Sequence, residues 1–217
     1  MLEVKQISKS FHRKMIVKDL TFKVKAGEIV CLKGSNGAGK STTLAMIAGL
    51  QKPDSGIVTF QGNNIFRSLT EYRRQLGYVP QEAAVYGELS GRDNLLYWGR
   101  QYGLRKDTLK RQLEKVCEFV GLTAEDLSRK VREYSGGMRQ RINVGAALLH
   151  EPKLLLLDEP TAGMDESSRV RLGKMLKELS DKGTAILYTG HYHDELEELC
   201  NRIVDLEQRR ECQQGER

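Results

Sequence analysis

A glycine-rich segment at residues 34–42, GSNGAGKST, constrains this chain more than any other feature. It fits the pattern G-x-x-x-x-G-K-[ST] and lies between an apolar run at residues 28–32 and a helical pattern at residues 41–50. That order of strand, loop and helix is the context that a phosphate-binding loop requires. Glycines let backbone N–H groups turn inward around phosphates, and the start of the helix adds partial positive charge. We therefore predict a strand–loop–helix unit that binds phosphate groups.

Nine consecutive residues are the candidate phosphate contacts. They are Gly34, Ser35, Asn36, Gly37, Ala38, Gly39, Lys40, Ser41 and Thr42. Within this set, Lys40 is expected to reach the β- and γ-phosphates of a nucleotide, and the hydroxyl of Ser41 is expected to coordinate Mg²⁺. The alternative interpretation, a chance glycine-rich turn, leaves the flanking strand and helix unexplained.

Two carboxylates follow an apolar run at residues 154–157, which reads LLLL and predicts a buried strand. Asp158 and Glu159 would then lie at the carboxyl edge of the sheet, where ligands bind in open α/β folds. We predict that Asp158 lies on the Mg²⁺ side of the site and that Glu159 accepts a proton from the attacking water. The alternative is an acid pair that only caps the following helix.

Strand and helix patterns alternate along most of the chain. Strand patterns occur within residues 2–33 and at residues 57–60, 76–79, 153–158 and 184–189, and a helical pattern covers residues 166–182. This alternation predicts an α/β core with a parallel sheet, into which a mostly helical stretch at residues 92–140 is inserted. We expect a single domain with a core lobe at about 1–80 and 150–206, a helical lobe at about 82–140 and a charged tail at 207–217.

The composition bounds where such a chain works. The 217 residues have a formal net charge of +6 and only short basic clusters among 29 acidic residues, which indicates a solvated surface rather than a nucleic-acid site. No apolar run approaches the roughly 20 residues of a membrane-spanning helix. Four scattered cysteines without a C-x-x-C pair are typical of reduced thiols. We expect a cytoplasmic protein that reaches a membrane only through a partner.

Residues 134–138 read YSGGM and resemble the signature motif of ABC ATPases. Gln81 after a predicted strand, Asp165 in the run AGMD, and His191 after the last predicted core strand complete the ABC motif set in chain order. The resemblance covers essentially the whole chain. It implies a P-loop NTPase core with a mixed, largely parallel sheet, an N-terminal antiparallel β part and an inserted helical subdomain. It also implies hydrolysis of ATP to ADP and phosphate, with ATP and Mg²⁺ bound.

The signature implies a second subunit. In ABC ATPases the helix start at this motif, here Ser135, Gly136 and Gly137, binds the γ-phosphate of ATP held by the other ATPase subunit. The resemblance therefore implies a head-to-tail dimer, with an identical or a paralogous partner and two ATP molecules at its interface. Taken alone, a Ser-Gly-Gly run is more typical of a plain turn.

Four other residues gain a role from the resemblance. Gln81 is implied to contact Mg²⁺ and the attacking water, His191 to contact the γ-phosphate, and Phe11 to stack on adenine. Asp165 is implied to join the nucleotide-binding set. Without the resemblance, Gln81 would be an ordinary surface residue, His191 a structural or solvated histidine, and Phe11 a core residue.

The signature also resembles the subset of ABC ATPases that serve ABC-2-type exporters. Tyr134, Met138 and Gly190 replace residues that are commoner in the family, whereas the residues expected to do the chemistry are retained. The main expectation is an ATP-hydrolysing subunit that powers a membrane exporter from its cytoplasmic face. The alternative is a soluble ABC ATPase of a non-transport assembly, such as one for cofactors or nucleic acids. A nucleotide kinase would share the phosphate-binding segment but would not explain the signature or His191.

A docking surface follows from the same resemblance. In transporters of this family a groove near the glutamine loop receives a short helix of the integral membrane subunit. Residues 82–100 are the candidate surface here, with contributions from Trp98 and Tyr102, which lie four residues apart. The alternative for these two aromatic side chains is packing inside the helical lobe.

Overall fold

The computed structural model describes residues 1–190 and 199–207, and within them the chain forms nine strands and seven α-helices. The strands are β1 (Leu2–Phe11), β2 (Lys14–Val24), β3 (Ile29–Lys33), β4 (Ser55–Phe60), β5 (Asn63–Asn64), β6 (Leu76–Val79), β7 (Leu154–Leu157), β8 (Ala185–Gly190) and β9 (Arg202–Asp205). The helices are α1 (Lys40–Ile47), α2 (Leu69–Arg73), α3 (Gly91–Gln101), α4 (Lys106–Val120), α5 (Ala124–Ser128), α6 (Gly136–Leu148) and α7 (Glu166–Asp181).

The strands form two sheets. The first has the order β2-β1-β4-β5 and is antiparallel throughout. The second has the order β6-β7-β8-β3-β9, and every neighbouring pair in it is parallel. The predicted fold class is therefore confirmed: an α/β protein with a largely parallel sheet and an N-terminal antiparallel part.

The parallel sheet is buried on both faces, which explains its unbroken apolar strands. In β7, Leu155 and Leu157 belong to the core cluster that includes the helical region. Leu154 and Leu156, which point to the other face, belong to the cluster that includes the antiparallel sheet. All four side chains are fully buried. A polar group at the end of such a strand is therefore held by a rigid, dry scaffold.

The helical region packs around α6. Leu113, Val116 and Val120 of α4 are buried, as the helical spacing predicts, and α4 ends before Gly121. A Cβ added to Gly145 of α6 would lie 2.7 Å from a methyl carbon of Val120, so the two helices approach closely here. The helix α6 also contacts β6, and it therefore connects the helical region to the parallel sheet.

The helix after the phosphate-binding segment is shorter than predicted. Its pattern suggested residues 41–50, but α1 ends at Ile47. Gly49 adopts a left-handed conformation with a φ of 70°, and the amides of Leu50 and Gln51 both donate to the carbonyl of Ala45. This turn ends the helix before Leu50, which is exposed.

The carboxyl ends of β3, β6, β7 and β8 meet at one edge of the parallel sheet, since adjacent strands run in the same direction. The segments that follow them start at residues 34, 80, 158 and 191. Topology alone therefore brings the phosphate-binding segment, Gln81 and the acid pair together. Among the described helices, none is long and apolar enough to cross a membrane.

Candidate active site

The phosphate-binding segment forms an open loop between β3 and α1. Ser35, Asn36 and Gly37 are exposed, and the N–H of Ser35 donates to the carboxylate of Glu207. Gly39 has a φ of 104°, and a Cβ there would lie 3.1 Å from the carbonyl oxygen of Ile16. Only glycine fits this position without strain, and the backbone can then turn into the first turn of α1. The loop has the shape and the partial positive charge that a polyphosphate requires.

The ammonium group of Lys40 is held over this loop. Lys40 is 5% exposed, and its Nζ donates to the carbonyl oxygens of Gly34 at 2.8 Å and Ser35 at 3.3 Å. The same Nζ lies 3.3 Å from Oε1 of Glu159. A buried cation requires such partners, and an anionic ligand in the loop would offer stronger ones.

Asp158 faces the same loop from the end of β7. It is 5% exposed, and its Oδ1 accepts hydrogen bonds from the hydroxyls of Ser41 at 3.2 Å and Thr189 at 2.8 Å. Mg²⁺ prefers a small number of hard oxygen ligands and retains several waters. The adjacent oxygens of Ser41 and Asp158 fit that donor set, and the loop supplies space for phosphate beside them.

Glu159 is strained and tightly held. Its φ of 45° lies in the left-handed region, which is costly for a residue with a Cβ. Its backbone N–H donates to Oγ1 of Thr189 at 2.9 Å, and its Oε2 accepts from Nε2 of Gln81 at 3.0 Å. The structure thus brings together Lys40, Ser41, Gln81, Asp158 and Glu159, which we call the phosphate-loop cluster.

The signature residues Ser135, Gly136 and Gly137, which we call the signature helix start, lie elsewhere. The hydroxyl of Ser135 accepts from the N–H of Met138 at 3.2 Å and so caps α6. A Cβ on Gly137 would lie 2.3 Å from Oγ of Ser168, so the start of α6 packs against the start of α7. Ser135 and Gly136 are exposed. A helix N-terminus with a hydroxyl therefore faces solvent.

Asp165 caps the neighbouring helix α7. Its carboxylate accepts from the N–H of Ser168 at 3.2 Å and from the hydroxyls of Ser167 and Ser168 at 2.5 and 2.7 Å. These hydrogen bonds, with the Ser167 hydroxyl first, hold the pKa of Asp165 well below its usual range. The carboxylate is thus ionised and fixed beside the signature helix start.

The predicted adenine contact, Phe11, lies at the edge of the site. Phe11 ends β1 and is 38% exposed, with Nζ of Lys9 5.7 Å from its ring centroid. Strand β2 of the same hairpin reaches the loop, because Ile16 is a close neighbour of Gly39. His191 lies outside the described residues.

Two contacts at this edge were not predicted. Thr189 bonds both Asp158 and Glu159, and its only sequence signal is a hydroxyl in an otherwise apolar strand end. Glu207 accepts from the N–H of Ser35 at 3.0 Å, and the Ser35 hydroxyl bonds the same oxygen. Glu207 was assigned to a charged tail, and the 172 residues between the partners leave no local pattern.

The candidate docking surface, residues 82–100, consists of a loop at 82–90 and most of α3, and hydrogen bonds fasten the loop to α3 and α6. Asn143 accepts from the N–H of Ala84, and Asn94 exchanges hydrogen bonds with the backbone of Tyr86. Trp98 donates to the carbonyl of Ala84 and, like Tyr102, is only partly exposed and packs on the core. Their contacts agree with packing inside the helical region, and Tyr86, 46% exposed, is the aromatic side chain that faces outward.

Comparison with known proteins indicates the same kind of site. Residues 17–162 match the family described as ABC transporter. A linearmycin resistance ATP-binding protein, LnrL, of Bacillus subtilis is 45% identical over 96% of this chain and 67% of its own length. A Nod factor export ATP-binding protein I of Burkholderia lata is 36% identical over 99% of this chain and 70% of its own.

Among solved structures, the dimer of the bacterial ABC transporter cassette MJ0796 matches with a TM-score of 0.82 and 28% identity. The match covers 94% of both chains. The ordered motifs, the geometry of the phosphate-loop cluster and these matches lead to one conclusion. The chain belongs to the ABC transporter family, as an ATP-binding and ATP-hydrolysing subunit.

Proposed function

We propose that this ATPase powers a membrane exporter through ATP-driven closure of two ATPase subunits and reopening after hydrolysis. The observation that carries the proposal is the separation of two phosphate-binding features in one chain. The phosphate-loop cluster is assembled around Lys40, whereas Ser135 and Gly136 of the signature helix start are exposed to solvent. The relatives named for linearmycin resistance and Nod factor export support export over the alternative of a soluble assembly ATPase.

Residues 34–42 surround the phosphates of ATP in this proposal. The backbone N–H groups of the loop and the start of α1 bind the phosphate oxygens. Ser41 and Asp158, with Gln81, hold Mg²⁺, which neutralises phosphate charge when bound. Phe11 stacks on adenine from the hairpin that borders the loop.

Hydrolysis requires a rearrangement of contacts that are already present. Lys40 exchanges its bonds with Glu159 and the loop carbonyls for bonds to phosphate oxygens. The released Glu159 accepts a proton from the attacking water, and Gln81 helps to orient that water. His191, which follows β8 directly in the sequence, is proposed to contact the γ-phosphate.

The signature helix start completes the site of the other subunit. The start of α6 and the Ser135 hydroxyl bind a γ-phosphate presented by the partner, and Asp165 borders the same surface. Loss of the γ-phosphate removes the link between the two chains, so the dimer relaxes. The partner is an identical chain or a paralogous ATPase.

The membrane subunit docks on residues 82–100. This stretch begins next to Gln81, whose amide bonds Glu159, and its loop is fastened to α3 and α6. A change at the site can therefore pass to the docked subunit, through relative movement of the proposed core and helical lobes. The chain would then lie on the cytoplasmic face of the membrane, held there by its partner.

Co-purification tests this proposal. A tagged chain carrying Glu159→Gln is isolated with ATP from gently solubilised membranes, next to the tagged wild-type chain. We expect a multi-spanning membrane protein in stoichiometric amount, retained more fully with Glu159→Gln. Recovery of soluble proteins alone, with the chain absent from membranes, contradicts the proposal.

A further inference from the structure

Thr189 lies near the end of β8 and is fully buried. Leu157 of β7 is paired with Tyr188 of β8, so Asp158, the first residue after β7, lies beside Thr189, which is still in β8. A buried hydroxyl without hydrogen-bond partners would be costly. The hydroxyl of Thr189 therefore needs both a hydrogen-bond donor and an acceptor at the carboxyl edge of the sheet.

Both partners are residues of the phosphate-loop cluster. The Thr189 hydroxyl donates to Oδ1 of Asp158 at 2.8 Å and accepts from the backbone N–H of Glu159 at 2.9 Å. The Thr189 hydroxyl thus bonds both acids: it donates to Asp158, which is expected to hold Mg²⁺, and it accepts from the backbone of Glu159, the expected general base. Oδ1 of Asp158 also accepts from Ser41 at 3.2 Å.

The second bond acts where the backbone is strained. Glu159 has a φ of 45°, a conformation that persists in a non-glycine residue only when its surroundings hold it. Its N–H has the Thr189 hydroxyl as its partner. That bond helps to fix the direction in which the Glu159 side chain leaves the backbone, toward Lys40 and Gln81.

We propose that Thr189 is a positioning residue that sets the relative orientation of Asp158 and Glu159. The inference rests on the proposed roles of these two acids. Without the hydroxyl, Oδ1 of Asp158 loses a donor and the N–H of Glu159 loses its acceptor. Both carboxylates then sample orientations that do not suit metal binding or proton transfer.

Two substitutions separate this role from packing. Valine keeps the shape of threonine and removes the hydroxyl, whereas serine keeps the hydroxyl. We expect Thr189→Val to lower kcat for ATP hydrolysis about tenfold and to raise the Mg²⁺ concentration at half-maximal rate, with KM changed by less than about twofold. Thr189→Ser should retain most of the wild-type kcat.

Hydrogen exchange at the Glu159 amide, measured by NMR on the full chain, does not depend on hydrolysis. The amide should be protected in the wild type and in Thr189→Ser, and it should exchange at least about tenfold faster in Thr189→Val. Binding of a fluorescent ATP analogue in EDTA establishes that each variant is folded. If Thr189→Val does not fold, Thr189→Ala takes its place in the same measurements.

Wild-type kcat, Mg²⁺ dependence and amide protection in Thr189→Val would overturn the inference, as would a loss of thermal stability alone. Glu159→Gln is measured in parallel. If Glu159→Gln hydrolyses ATP at the wild-type rate, the proposed role of Glu159 fails. If it is inactive while Thr189→Val matches the wild type, only the inference about Thr189 fails.

Discussion

The phosphate-loop cluster and the signature helix start are both suited to bind phosphate, but they differ in how complete they are. The cluster is closed within one chain: Lys40 is 5% exposed and bonds the loop and Glu159. In the signature helix start Ser135 and Gly136 are exposed while Gly137 is buried, and among the hydrogen bonds described for it Ser135 bonds only the first turn of its own helix. This difference supports our proposal that the second feature binds a phosphate presented by another subunit.

Neutralising Glu159 should have the largest effect on this comparison. We expect Glu159→Gln to lower kcat for ATP hydrolysis by about 10²–10⁴-fold, because a general base is lost while the loop is intact. Nucleotide binding should persist, because a neutral glutamine no longer competes with the phosphates of ATP for the ammonium group of Lys40. Glu118→Gln makes the same acid-to-amide change at an exposed position on α4, and it serves as the matched control in the same steady-state assay. Equal loss in both variants would contradict the assignment.

Distorting the loop should weaken nucleotide binding itself. Gly39→Ala introduces a Cβ 3.1 Å from the Ile16 carbonyl at a φ of 104°, at a cost of about 1–3 kcal/mol. We expect ATP affinity, measured by titration calorimetry, to fall about tenfold or more. Gly103→Ala, at a φ of 79° with open space around the added Cβ, imposes similar backbone strain far from the loop. Its ATP affinity should equal that of the wild type.

Removing the Ser135 hydroxyl should show whether this side chain only caps α6 or also binds phosphate. Ser135→Ala and Ser90→Ala each remove a serine N-cap, of α6 and of α3, and each should cost about 1 kcal/mol of stability. Only Ser135→Ala should also lower ATP hydrolysis, by roughly tenfold, because it removes a proposed donor to the partner's γ-phosphate. Denaturation and ATPase assays on both variants check this. An equal ATPase rate in the two would place Ser135 outside the reaction.

The smallest expected effect concerns His150, just beyond the end of the helix that begins at the signature motif. Ser135 caps the start of α6, and just beyond the end of that helix the ring of His150 stacks on Tyr102 at 4.0 Å and bonds the carbonyl of Leu76 at 2.9 Å. Burial lowers the pKa of His150 below its ordinary value of 6.5. The unfolded chain therefore binds the proton more readily, and stability falls as the pH drops through that value.

The measurement is thermal unfolding between pH 7.5 and 5.5. We expect His150→Gln to lose stability less steeply than the wild type as the pH falls, because glutamine has no proton to gain. If the stability of His150→Gln depends on pH as steeply as that of the wild type, protonation of the His150 imidazole on unfolding does not contribute to the pH dependence.

Local patterns predicted most of the site. The loop at residues 34–42 and the acids after β7 could be placed because a strand end is visible in sequence, and parallel strands meet at one edge. The length of α1 was overestimated, because the apolar pattern continues past the turn at Gly49.

Contacts between distant segments could not be predicted in the same way. The bond between Gln81 and Glu159 joins residues 78 apart, and that between Ser35 and Glu207 joins residues 172 apart. Thr189 is similar: its strand was recognised, but which buried position faces the acids depends on the register of β7 with β8. Such roles depend on strand pairing rather than on local composition.

The central claim is that the two phosphate-binding features of one chain serve different nucleotides. Light scattering on the Glu159→Gln chain tests it most directly, with and without Mg·ATP, next to the same chain carrying Ser135→Glu. With an identical partner, the account predicts a change from 24.6 kDa to about twice that mass with ATP, and none with Ser135→Glu although it still binds nucleotide. An ATP-loaded Glu159→Gln chain that stays at the mass of one copy would contradict pairing between identical chains, and a Ser135→Glu chain that still pairs would contradict the central claim itself.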